Sequence, residues 1–70
     1  MSDVNPQVFQ QALVAVLSAA QEKGVDVGGL VDRAREILTE PGNKAKFIPD
    51  RDVEHVDLEL ELARNTVKGL

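Results

Sequence analysis

Apolar residues recur along the chain in three stretches, each with the spacing of a helix. Within residues 5–23, Val8, Phe9, Ala12, Leu13, Val16, Leu17, Ala19 and Ala20 gather on one side of a helical wheel. That side takes up about half the circumference, more than the roughly 100° stripe a surface helix needs to bury. Within residues 26–40, Val27, Leu30, Val31, Ala34, Ile37 and Leu38 follow steps of three and four. From residue 50 onward, Val53, Val56, Leu60, Ala63, Val67 and Leu70 form a regular seam at alternating steps of three and four, and Leu58 and Leu62 fall on the opposite side.

The last stretch has a competing pattern. Val56, Leu58, Leu60 and Leu62 alternate with Asp57, Glu59 and Glu61, the period of a half-buried strand. Residue type favours the helix, because Leu, Glu, Ala and Arg are good helix formers and residues 57–64 contain no β-branched or aromatic side chain. The helical seam also runs on to residue 70, whereas the alternation stops at Ala63 and Arg64.

Punctuation supports the same division. Asn5 is suited to be an N-cap and Pro6 to the first helical position, where its missing N–H costs nothing. Lys23 and Gly24 end the first helix, Val25 folds back, and Asp26 caps the second. Pro41 and Gly42 stop the second, and residues 41–49 form a loop in which Phe47 and Ile48 are expected to staple onto the third helix and plug the end of the core. Asp50, Asp52 and Glu54 near one end of the third helix, and Arg64 and Lys68 near the other, complement its dipole. The expectation is an all-α domain spanning residues 1–70, with three helices at about 5–23, 26–40 and 50–69.

Length changes the picture next. A 70-residue chain buries only about 60% of the surface its unfolded form exposes. Small domains compensate with disulfides, metals or association. The sequence has no cysteine and one histidine, so a homodimer is expected. Ala12, Ala15 and Ala19 cluster along one edge of the first helix and are the candidates for close packing, either within the core or across a symmetric dimer.

Charge narrows the partners. The net charge of −4 divides into −1 for residues 1–24, zero for 25–49 and −3 for 50–70. An acidic chain with two aromatic residues is poorly matched to nucleic acid, which is held by cationic patches and stacking. The opening MSDVNPQ has no basic segment before an apolar run, and the apolar stretch at residues 8–20 is too short to span a bilayer. A cytoplasmic protein without membrane contact is expected.

Chemistry adds little. His55 and Glu59 are four residues apart with Asp52 three before, but two or three ligands on one helix fall short of the set that zinc takes from several elements, so neither a metal nor another cofactor is expected. Ser2, Ser18, Thr39 and Thr66 are hydroxyls with no base at a recognisable spacing. Gly28 and Gly29 near a helix start lack the lysine of a phosphate loop. The chain therefore reads as a non-enzyme. Ala20, Gly24, Val25 and Leu30 fall where a helix-turn-helix unit places its small residue, turn glycine and recognition-helix apolar position, so residues 17–38 resemble one. That resemblance implies DNA binding. Against it, Arg33 stands where the motif buries an apolar residue, and the second helix presents Asp26, Asp32 and Glu36.

The expected function is protein association by a small acidic adaptor, inhibitor or regulator. Its outward strip is Leu58 and Leu62, flanked by His55 and Thr66, and it meets either a second copy or another protein with a basic surface. Two alternatives remain: the helix-turn-helix-like regulator, and an oligomer holding a small anionic ligand at subunit junctions through Lys44 and Lys46.

Overall fold

A computed structural model describes residues 5–70. They form α1 (Pro6–Glu22), α2 (Val27–Ile37) and α3 (Val53–Lys68), the last entered through a single 3-10 turn, Asp50–Asp52. No strand occurs among the described residues. Residues 56–62, whose alternation also fitted a strand, are helical. A strand there would need a neighbour to pair its N–H and C=O groups; a helix satisfies them internally.

The ends of α1 follow from local chemistry. The Asn5 side chain accepts a hydrogen bond from the Gln7 N–H at 2.9 Å. At the other end the Gly24 N–H donates to Gln21 O and the Val25 N–H to Ala20 O, both at 3.0 Å. These are the paired bonds of a Schellman closure, which requires the left-handed φ of +86° found at Gly24. The Asp26 side chain accepts from the Gly28 N–H at 3.2 Å and starts α2.

Two boundaries differ from expectation. α2 ends at Ile37 rather than about residue 40, because the ring of Pro41 would collide with the Ile37 carbonyl if the helix continued. Tighter bonds, Leu38 N–H to Arg35 O and Thr39 N–H to Glu36 O, unwind it. α3 begins at Val53 rather than near residue 50, since the Asp52 N–H bonds to Pro49 O three residues back.

The core joins all three helices: Leu17 of α1, Val27 and Val31 of α2, and Leu60, Ala63 and Val67 of α3. Val31 and Ala63 are sealed completely. At Ala63 the absence of a longer side chain lets neighbouring helices come close. The α3 seam is the one spaced out in the sequence, except that Leu70 lies past the helix end and is exposed.

α1 departs further. It turns inward Leu13, Val14 and Leu17, with Gln10 and Ala20 half-buried, and leaves Val8, Phe9, Ala12, Val16 and Ala19 outside. Phe47 is no plug either: it is 89% exposed, with only Ile48 half-buried. Lys46 turns toward Asp50 and forms an ion pair with it. The extents of 32 × 32 × 17 Å describe a slab.

Candidate association surfaces

Leu58 and Leu62 lie one turn apart on α3, so their side chains stand one above the other. They are 56% and 47% exposed and face away from the Leu60, Ala63 and Val67 seam. His55 and Thr66 beside them are exposed. The Thr66 hydroxyl donates to Leu62 O at 3.0 Å, a bond within its own helix.

The carboxylates around this strip partly fasten the helices to each other. Gln10 of α1 donates to Glu59 Oε1 at 2.6 Å. Arg35 of α2 donates to Glu61 Oε2 at 3.0 Å, and its Nε lies 3.5 Å from Asp57 Oδ1 as an ion contact without hydrogen-bond geometry. Arg64 donates to Glu61 Oε1 at 2.7 Å. Such half-exposed pairs contribute about 0–1 kcal/mol each. At that magnitude they reinforce the register of α3 that burial of Leu60, Ala63 and Val67 sets.

A second apolar surface lies on α1, where Phe9 is 66% and Val16 64% exposed, with Val8 alongside. Ala12, Ala15 and Ala19 are exposed on the same side, so none of the three packs in the core. The expectation missed Val8, Phe9 and Val16 as surface residues. The available signal was the width of the apolar arc, which exceeded what one buried face can use.

Other candidates do not come together. No group of three His, Asp or Glu side chains converges among the described residues. The Thr39 hydroxyl donates to Glu36 O at 3.2 Å; Ser18 is half-buried on α1, and Ser2 lies outside the described residues. On α2, Arg33 is exposed and holds Glu36 at 3.2 Å together with Glu40, and Arg35 is turned to α3. The hydrogen bonds that Arg33 donates to Glu40, then to Glu36, raise its pKa, and the bonds that Glu40 accepts from Arg33 and Asn43 lower that of Glu40.

The loop between α2 and α3 lines an open depression of about 540 Å³ containing Lys44 and Lys46. Glu40 and Asp50 line the same depression, and the Lys46 hydrogen bond holds the Asp50 carboxyl below its usual range. An anion would have to displace a carboxylate to reach Lys46. Among the described residues no helix is long and apolar enough to cross a membrane. Comparison of the chain with protein-family models, curated proteins and solved structures finds no match to any of them.

Proposed function

We propose that the chain is a non-enzymatic association module, a small cytoplasmic adaptor, inhibitor or regulator that is homodimeric and docks another protein on α3. The observation that carries this is the exposed Leu58 and Leu62 pair, set opposite the buried seam on the helix of the most acidic part of the chain. Anchors one turn apart suit a helix laid along the strip, and a net −3 over residues 50–70 favours a basic partner and speeds its encounter.

The test uses a synthetic amphipathic helix with leucines at i, i+3, i+4 and i+7 and lysines elsewhere. Binding to the full chain is expected to weaken as salt rises, since charge steers it. Leu58→Asp with Leu62→Asp alters exposed side chains only, so helix content by circular dichroism should hold while affinity falls at least about tenfold. Equal binding by the folded double variant would remove α3 as the docking site.

A further inference from the structure

We infer that two copies of the chain pair through α1 in antiparallel orientation, the large side chains of each helix set against the alanines of the other. This rests on reading the chain as a dimeric association module, and it assigns the self-contact to α1, leaving α3 for a different protein.

The order of side chains carries the orientation. Phe9, Ala12, Val16 and Ala19 follow steps of three, four and three along the exposed side of α1, so they form one seam. Large and small residues alternate along it. Pairing two such helices in parallel sets Phe9 on Phe9 and Ala12 on Ala12, which crowds one level and leaves a gap at the next. Antiparallel pairing about a twofold axis that crosses the exposed seam at the level of residue 14 sets Phe9 against Ala19 and Val16 against Ala12. Every level then holds one large and one small side chain, the arrangement that fills space at close helix separation. Opposed helix dipoles add to the preference.

Charge selects a second copy as the occupant. Of the 17 residues of α1 only Glu22 is charged, so two copies meet there without repulsion. Pairing through α3 would bring together two segments of net charge −3. A lipid surface is matched less well, because a helix lying on one carries Lys or Arg on its polar side, and α1 has only Gln, Ser and Glu.

Area bounds the size of the contact. From their exposures, Val8, Phe9 and Val16 offer roughly 300 Å² per copy, and the exposed alanines bring the most that can be covered to about 450 Å². The pair hides about 900 Å² in total, at the weak end of specific association. The expected dimer is therefore weak and concentration-dependent, dissociating in the micromolar range or above, with the Kd read by experiment because area alone does not set affinity.

Sedimentation velocity from 5 to 500 μM reads this directly, and a monomer throughout overturns the inference while leaving the α3 peptide test standing. Ala12→Glu places charge on an exposed α1 position that makes no core contact. It should retain helix content and raise the Kd at least tenfold; an unchanged dimer overturns the choice of α1. Because the chain has no cysteine, orientation can be read by mixing Phe9→Cys and Ala19→Cys chains at about 300 μM under mild oxidation. The mixed disulfide should dominate over either self-linked product. A dominant Ala19→Cys self-link overturns the antiparallel arrangement.

Discussion

α1 and α3 have nearly equal lengths, 17 and 16 residues, and feed one core, but they treat their outer sides in opposite ways. α3 carries six charged side chains, and its carboxylates tie it to both neighbours. Burial of Leu60, Ala63 and Val67 fixes its inward seam, those ties reinforce it, and two leucines stay outside between charges. α1 carries one charged residue, and its polar positions are Gln and Ser on the flank that meets α3 through Gln10. Its buried stripe sits between that polar flank and an uncovered apolar one. A helix whose apolar seam is narrow and bounded by charge thus encodes its own orientation, whereas an almost neutral one takes its orientation from the helix it packs against.

The sharpest way to break this comparison is to truncate one side chain from each helix. Leu60→Ala removes a buried side chain at the meeting point of the core and should cost about 2–4 kcal/mol. Val16→Ala removes an exposed one and should cost under about 0.5 kcal/mol in urea titrations at low micromolar chain, where α1 is unpaired. Equal losses would mean that the Val16 side of α1 is covered in the monomer.

A smaller contrast lies at the helix ends, since glycine follows both α1 and α3. Gly24 has φ +86° with nothing within 4 Å of an added Cβ, so Gly24→Ala should cost about 1 kcal/mol through backbone strain alone. Gly69 has φ −83°, and a Cβ there would meet Asn65 O at 3.5 Å, an ordinary contact. Gly69→Ala should be neutral or slightly stabilising. Thermal melts of the two variants measure the difference, and equal shifts would show that the left-handed closure of α1 is not what Gly24 provides.

The same contrast explains what could be read from sequence. Asn5, Gly24 and Asp26 marked helix ends because each supplies a local hydrogen bond or a backbone angle that needs no distant neighbour. Leu58 and Leu62 could be placed outside because the α3 seam has one register that buries Leu60, Ala63 and Val67 together. On α1 the apolar arc was too wide to fix a register. Leu13, Val14 and Leu17 were chosen over Phe9 and Val16 by contact with α3, which no local pattern records. Phe47 lies in irregular backbone, where no helical or strand register places a side chain, so hydropathy pointed to the core while the ring stands outside. Of the two apolar surfaces, the exposure of the α3 leucines was therefore legible, and that of α1 only through its alanines.

Acid should divide the molecule along the same line, with the smallest effect of the three. Glu40 and Asp50 stand at the two ends of the α2–α3 connection, and hydrogen bonds from Arg33 and Lys46 lower their pKa values in the folded chain. A lowered folded pKa contributes stability above the unfolded value, about 4 for a carboxylate, and that contribution is lost as pH falls through the folded value. Between pH 6 and about 2.5, amides of residues 38–50 should lose hydrogen-exchange protection before those of α1, which holds no such pair. Because the pairs are exposed, 0.5 M salt should shrink the difference. Asp50→Asn should remove its part of the pH dependence while leaving α1 unchanged. If α1 amides opened first on acidification, the connection would not be held by these pairs, and α1 would depend on carboxylates elsewhere, the nearest being Glu59 through Gln10.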